Sequence, residues 1–273
     1  MPNKRVVVIS DPHCGHRVGL TPPAFQGQYV KDETDLTKID KFVTIRRRLW
    51  HEYQKMINAL KPIDILIVNG DCIDGKGFRS GSTELIETDR DVQGIMAATC
   101  IAEAESPIIR MTYGTAYHTG LSEDWENNVV KEIKINDPQV DVKIGSHEWV
   151  DVNGVIIDFK HFTASTTIPH GQGTSLAKDW LWNALWAEQE LQPRADIYIR
   201  SHVHVAYQCG RPNSWYACTT PALQGMGSKF GSRICKGIVD FGVVSFDITE
   251  SGAWKPNWDT IIVKEQATKA EQL

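Results

Sequence analysis

The chain has 273 residues, of which 41% are hydrophobic, enough for a sizeable core in one large domain or two small ones. Its net charge of −5 excludes a protein that coats duplex nucleic acid by charge alone, although a nucleic-acid substrate stays open because a metal supplies positive charge locally. Six cysteines without paired spacing favour reduced thiols and a cytoplasmic protein. We expect no signal peptide and no membrane segment, because no apolar run is long enough.

Short β-rich runs alternate with helical patterns along the chain, which predicts an α/β fold. The predicted strands cover residues 5–10, 63–69, 107–112, 140–145, 148–152, 155–160, 195–200, 215–219, 238–248 and 259–264. The predicted helices cover 35–60, 82–103 behind a cap at Ser82-Thr83-Glu84, and two further segments capped by Ser122 and Thr174. We therefore expect two mixed β-sheets packed face to face, with helices outside.

Two long segments, near residues 15–35 and 74–82, are not explained by the core pattern. Both follow strands that carry candidate ligands, and long loops in such positions are commonly functional. The alternative is that they only decorate the surface. We expect one domain over residues 1–273 with these two inserted loops.

Asp and His residues gather where the predicted strands end. They are Asp11-Pro12-His13, Gly70-Asp71, His118, His161 and His202-Val203-His204. In open α/β sheets, ligands bind outside the carboxyl ends of the strands, so these side chains predict one metal centre. A mixed nitrogen and oxygen donor set suits Mn, Fe, Zn, Ni or Co better than Mg or Ca. Two such ions about 3.5–4 Å apart can clamp the attacking and leaving oxygens of a phosphoryl transfer.

These motifs, in this order, resemble those of the calcineurin-like metallophosphoesterase superfamily. The family pattern is Asp-x-His, Gly-Asp, Gly-Asn-His-Asp/Glu, a lone His and Gly-His-x-His, and its counterparts here span residues 11 to 204. The resemblance implies a sandwich of two mixed β-sheets flanked by helices. It also implies two divalent transition metal ions, with manganese as the first expectation, and hydrolysis by a hydroxide that bridges them.

The resemblance implies a role for each matching residue. The first metal would be held by Asp11, His13 and His204, and the second by His161 and His202, with Asp71 bridging both. His118 matches the family histidine that contacts the phosphate and protonates the leaving group, a step worth roughly 10²–10⁴-fold in rate.

Thr115 stands where the family has an asparagine ligand, and two extra residues then precede His118. A hydroxyl is a poor ligand beside an amide oxygen, so Thr115 is a doubtful metal ligand. The alternatives are a weakly bound second ion, contact through a water on Thr115, or recruitment of another side chain. The candidates for recruitment are Glu126, Asn127 and Asn128. Ser201 replaces the glycine of the last motif, which keeps a small residue there.

Three further residues are candidates for substrate contact: Arg79, His16 and His170. A guanidinium suits phosphate, while the alternative for both histidines is an ordinary surface position. Trp180, Trp182 and Trp186 follow helical spacing, which favours core packing for one or two of them over stacking against bases.

The function predicted from these features is metal-dependent hydrolysis of a phosphoester, by a phosphodiesterase or nuclease. Gly19–Pro23 and Thr220–Gly225 resemble uncharacterised bacteriophage and prophage members of the superfamily, which favours single-stranded nucleic acid or a nucleotide as the substrate. The location would then be the host cytoplasm. The alternatives are a phosphomonoesterase, including a protein phosphatase, and a catalytically weak metal-binding scaffold. The sequence does not set the oligomeric state.

Overall fold

The computed structural model describes residues 2–27, 41–121, 125–164, 166, 168–211, 214–226 and 238–264. Its strands are β1 (Lys4–Ile9), β2 (Ile65–Asn69), β3 (Ile108–Thr112), β4 (Asp141–Gly145), β5 (Glu148–Val152), β6 (Val155–Phe159), β7 (Ile197–Arg200), β8 (Tyr207–Arg211), β9 (Trp215–Thr219), β10 (Phe241–Ile248) and β11 (Trp254–Ile261). Its helices are α1 (Lys41–Leu60), α2 (Arg90–Ala102), α3 (Ala116–Thr119), α4 (Trp125–Asn136) and α5 (Gly173–Glu188). No helix within the described ranges is long and apolar enough to cross a membrane.

The strands form two mixed sheets, as predicted. The first has the order β11-β10-β1-β2-β3-β4, with β1 to β4 parallel and β10 antiparallel to both of its neighbours. The second has the order β5-β6-β7-β9-β8, with β6, β7 and β9 parallel and an antiparallel strand at each edge. The parallel strands of both sheets carry the candidate ligands just beyond their ends.

Alternation along the strands builds the layers, because successive side chains point to opposite faces of a sheet. In β1, Val6 and Val8 pack between the two sheets, while Val7 and Ile9 pack against the outer helices. On the far side, Leu176 of α5 packs against Tyr198 on the outer face of the second sheet. Helices therefore cover both outer faces of the sandwich. That residues 1–273 form a single domain stays a prediction.

Several predicted boundaries were wrong. Helix α2 begins at Arg90 rather than near residue 82, because the carboxylate of Asp89 caps it by accepting the Asp91 N–H at 2.9 Å. The last strand is Trp254–Ile261 rather than 259–264, and it tolerates Pro256 because it lies at a sheet edge. Strand β8 was missed because it is a largely exposed edge strand that contains Gly210.

One further predicted helix start lies within a residue of the observed one, and two other predictions fall outside the described residues. Helix α5 begins at Gly173, one residue before the predicted cap Thr174, with no side-chain cap at its N-terminus. The proposed cap Ser122 and residues 28–40 lie outside the described residues.

The segment after β1 belongs to the core more than its sequence suggested. Val18 and Leu20 are fully buried in the cluster between the first sheet and the helices. The buried guanidinium of Arg46 on α1 donates to the carbonyls of Arg17 and Gln26, at 3.1 and 3.3 Å. The described part of this segment is therefore packed structure rather than surface decoration.

Candidate metal centre

The predicted ligands of both sheets meet at one edge of the sandwich. Asp11 and His13 follow β1, Asp71 follows β2, His161 follows β6, and His202 with His204 follows β7. Asp11, Asp71 and His161 are each at most 2% exposed. The structure thus brings together all six residues that the sequence assigned to metal binding.

Five of these six residues have a left-handed backbone: Asp11, His13, Asp71, His202 and His204, with φ between 43° and 73°. This conformation is uncommon outside glycine, although Asp and His adopt it more readily than most residues. The left-handed residues turn the chain abruptly at the strand end, which directs the side chains toward the shared edge.

Two glycines allow the chain segments to approach closely at this edge. A Cβ atom on Gly70, whose φ is 79°, would lie 2.6 Å from the ring of His161. A Cβ atom on Gly114 would lie 2.0 Å from Oδ1 of Asp71. Glycine is required at both places because the imidazole and the carboxylate occupy the space of a side chain.

The first cluster consists of Asp11, His13 and His204. Nε2 of His204 lies 3.1 Å from Oδ1 of Asp11 and 3.3 Å from Nε2 of His13. The separation between Nε2 of His13 and Oδ1 of Asp11 is 3.8 Å. Three donor atoms from two sheets therefore surround one point.

The second cluster consists of Asp71, His161 and His202. Nε2 of His161 lies 3.0 Å from Oδ2 of Asp71 and 3.8 Å from Oδ1 of Asp11. The imidazole rings of His161 and His202 are 5.4 Å apart between centroids. The two clusters are adjacent, with His161 in reach of the carboxylates of both.

The donor set and its spacing fit transition metal ions. Ligands about 2.0–2.2 Å from a shared ion lie roughly 3–3.5 Å from one another, close to the separations here. Nδ1 of His161 donates to the carbonyl of Asn69 at 2.7 Å, and Nδ1 of His13 faces Oδ1 of Asp74 at 3.1 Å. Hydrogen bonds of this kind leave Nε2 of each ring for a metal.

The electrostatics of the clusters favour positive charge. Burial alone would raise the pKa of Asp11, but the charges of His204 and His161 hold it well below its usual range. Burial would lower the pKa of His161, yet Asp71 and Asp11 raise it to about 10. Buried carboxylates that recruit protons in this way would attract cations equally well.

Asp74 is a functional candidate that the sequence reasoning missed. It is buried, its Oδ1 lies 3.1 Å from Nδ1 of His13, and its carbonyl lies 2.9 Å from Nδ1 of His118. It forms a third possible trio with those two histidines. Because it contacts the nitrogen of His13 opposite to the one that faces Asp11, we interpret it as an orienting group. Its place three residues after Asp71 was the available signal.

Thr115 contacts Asp71. Its N–H donates to Oδ1 of Asp71 at 2.7 Å, and its hydroxyl lies 3.2 Å from the same atom. The residue expected to be a weak ligand therefore holds a stronger ligand in place.

The three alternative ligands are engaged elsewhere. The carboxylate of Glu126 accepts the N–H groups of Cys72 and Gly114, at 2.7 and 2.6 Å. Asn127 accepts from Tyr113, and Asn128 donates to Asp91. Among the described His, Cys, Asp and Glu residues, Glu126 belongs to none of the possible metal clusters.

A chain of buried hydrogen bonds lies beneath the clusters and links the ends of five strands. It runs from Ser10 through Thr220, Ser201 and Asn69 to Thr112, and each link measures 2.7 Å. The hydroxyl of Ser201 accepts from the amide of Asn69 in the middle of this chain. It therefore links the second sheet to the first.

The candidates for substrate contact occupy different surroundings. His118 is partly buried against the ring of His13, with centroids 4.5 Å apart. His16 is buried, its Nδ1 accepts the Val18 N–H, and burial lowers its pKa to about 4, which favours a structural role. His170 is exposed on a turn at Pro169–Gly171. The side chain of Arg79 lies outside the described residues.

Comparisons with known proteins gave solved structures only. No protein-family model and no curated protein matches the chain. An archaeal phosphodiesterase is 12% identical, with 93% of this chain and 99% of that chain covered and a TM-score of 0.43.

Two proteins of another kind are also similar. Vacuolar protein sorting 29 from Cryptosporidium parvum is 9% identical, covers 96% and 100% of the two chains, and gives a TM-score of 0.43. Vps29 from Entamoeba histolytica, complexed with Zn²⁺, is 13% identical. The match covers 94% of this chain and 98% of that chain, with a TM-score of 0.38. At these values the description of the fold rests on the sheets and helices of the chain itself.

Proposed function

We propose that this chain is a metal-dependent phosphoester hydrolase of the calcineurin-like metallophosphoesterase type. The observation that carries the proposal is the meeting of two adjacent His/Asp trios at the carboxyl ends of strands from both sheets. Two metal-binding groups side by side are the arrangement that clamps a phosphoryl group during in-line displacement.

The residues would divide into two ligand sets. Asp11, His13 and His204 would hold one ion, and His161 and His202 the other, with Asp71 between them. Bound divalent transition metals, manganese first, would polarise the phosphoryl oxygens and supply a nucleophilic water at neutral pH. Mn²⁺ accepts this mixed donor set, and Fe, Zn, Ni or Co would fit the same ligands.

His118 would act on the substrate. Its Nδ1 is engaged by the carbonyl of Asp74, which leaves Nε2 for the leaving-group oxygen. The short helix α3 and the contact with His13 fix the ring beside the first cluster. In this position a protonated imidazole can donate to the leaving oxygen.

The substrate we infer is a phosphodiester, in a nucleotide or single-stranded nucleic acid. The site itself would serve monoesters as well, and the preference for diesters rests on the similarity of Gly19–Pro23 and Thr220–Gly225 to phage proteins. A phage origin and a host-cytoplasmic location belong to the same proposal. A phosphomonoesterase is the second candidate, because the site would serve monoesters too. A catalytically weak metal-binding scaffold is the third, because Thr115 binds Asp71 instead of supplying the usual amide ligand.

Turnover measurements separate these candidates. With Mn²⁺, we expect hydrolysis of bis-p-nitrophenyl phosphate to exceed that of the monoester, and single-stranded DNA to be cleaved. Faster hydrolysis of the monoester would favour the phosphomonoesterase. Metal binding without turnover of any substrate under Mn, Fe, Zn, Ni or Co would favour the scaffold.

A further inference from the structure

Helix α5 exposes an apolar stripe that the metal chemistry does not use. The stripe consists of Leu181, Trp182, Leu185, Trp186 and, just past the helix end, Leu191, which are 49%, 51%, 48%, 40% and 72% exposed. Residues four apart lie on the same side of a helix, so the first four form two neighbouring rows. Trp182 and Trp186 contact each other, with ring centroids 6.0 Å apart.

The opposite side of α5 already has its partner. Leu176 is fully buried against the second sheet, and Trp180 stacks on Trp215 with centroids 4.8 Å apart. Asn183 accepts from the hydroxyl of Tyr198 at 2.9 Å. The helix is therefore anchored on one side, while Leu181 and Leu185 face outward on the other. The half-exposed Trp182 and Trp186 also border a pocket that Asp158, Asp179 and Arg200 line. A contiguous apolar patch of this kind on a water-facing helix marks an interaction surface.

We propose that the stripe is the interface of a homodimer, in which α5 packs antiparallel against α5 of a second copy. A twofold axis at the level of Asn183 and Ala184 would superpose the stripe on itself, as an isologous interface requires. The leucine row would then face the leucine row of the second copy, and the tryptophan row the tryptophan row. The same face of α5 would thus form the interface in both copies.

The charges that flank the stripe agree with this arrangement. Lys178 lies toward the start of α5 and Glu188 at its end, and both are exposed. Neither forms an ion pair with another described residue of its own chain. Their distances from the proposed axis differ by one residue, about 1.5 Å along a helix. Antiparallel packing would place each lysine beside the glutamate of the second copy, twice per dimer.

The apolar area also agrees with what a dimer needs. Five large side chains that are about half exposed offer on the order of 500 Å² per copy, if a whole large side chain presents about 200 Å². A stable interface buries about 800 Å² per partner, and homodimer interfaces are roughly 65% apolar. The stripe supplies that apolar part, and the surrounding polar residues would form the rim.

The oligomeric state in solution tests the proposal, without metal or substrate. Sedimentation equilibrium of the full chain should give twice the 30.7 kDa of one chain, and Leu185→Asp should give the monomer mass. Ile135→Asp is the matched control, because Ile135 is a 66% exposed apolar residue on α4, and it should stay dimeric. Far-UV circular dichroism should match wild type in both variants. A monomeric wild type at all concentrations, or a dimer that survives Leu185→Asp, would overturn the interface.

Charge reversal tests the antiparallel arrangement separately. Lys178→Glu and Glu188→Lys should each weaken the dimer roughly tenfold, since symmetry makes each substitution act at two ion pairs. The double variant should recover wild-type affinity, and raising the salt concentration should reduce both effects. A double variant no tighter than the single variants would contradict this packing of α5.

Discussion

The left-handed residues at the strand ends show how backbone geometry builds the proposed metal centre. Each non-glycine residue in this conformation costs roughly 1–3 kcal/mol and persists only where its surroundings enforce it. Here the Asp11 N–H donates to the carbonyl of Gly70, and the His13 N–H donates to that of Asp71, both at 3.1 Å. Asp11 and His13 of the first cluster are therefore held by backbone bonds to the next strand end, independently of their side chains.

Asp71 and His118 should respond differently to the same substitution. We expect Asp71→Asn to abolish metal binding and turnover together, because it neutralises a buried carboxylate between the ligand imidazoles. His118→Asn should keep the metal content and slow turnover by roughly 10²–10⁴-fold. Metal analysis alongside a diester assay measures both effects. Loss of metal in the His118 variant would make His118 a ligand instead.

Thr115 should matter through Asp71. We expect Thr115→Val to lower the free energy of unfolding by about 1 kcal/mol and to weaken metal binding, because the hydroxyl that donates to the Asp71 carboxylate is lost while the N–H bond remains. Thr99→Val is the control, since among the described residues its hydroxyl bonds to the carbonyl of Ile95 alone, within its own helix. Denaturant unfolding and a Mn²⁺ titration check both quantities. Equal effects in the two variants would argue against a positioning role for Thr115.

At the scale of elements, Glu126 joins α4 to the ends of β2 and β3. It is fully buried and holds the backbone N–H groups that follow Asp71 and Tyr113. Burial, with a smaller effect from the charge of Asp71, raises its pKa from 4.5 to about 7. The proton therefore binds more tightly to the folded protein than to the unfolded chain.

This pKa sets a dependence of stability on pH. The contribution of protonated Glu126 to the free energy of unfolding is fully present below pH 4.5 and is lost as the pH rises through about 7. Relative to wild type, metal-free Glu126→Gln should gain about 3 kcal/mol of unfolding free energy across that range. Chemical denaturation of the metal-free wild type and variant at both ends of this pH range measures the difference in their unfolding free energies. A difference that does not change with pH would contradict the raised pKa.

The sandwich as a whole places two buried carboxylates, Asp11 and Asp71, among four imidazoles where the sheets meet. Metal ions that bind only the folded state should therefore stabilise the entire molecule. We expect Mn²⁺ to raise the melting temperature of the metal-free protein. At a free Mn²⁺ concentration a hundred times its Kd, the free energy of unfolding should increase by about 2.7 kcal/mol. Ca²⁺ should give a much smaller shift, because it prefers oxygen ligands. Calorimetry compares the two ions, and an equal shift with Ca²⁺ would speak against imidazole ligands.

The sequence by itself determined the α/β class, most of the strands and the six residues that meet at the sheet edge. These features depend on residues close together in the chain, because alternating apolar residues indicate a strand and the motif follows that strand directly. Strand β8 and the start of α2 escaped because an exposed edge strand has little pattern and because Asp89 supplied a cap that competed with Ser82.

Only the tertiary structure decided how the parts act on one another. It brought Asp74 against His13, turned Thr115 toward Asp71, and engaged Glu126 with the backbone. It also showed that Trp180, partly buried, packs against the core while Trp182 on the same helix is half exposed. The physical reason is that burial and hydrogen-bond partners depend on segments far apart in the chain, which no local pattern encodes.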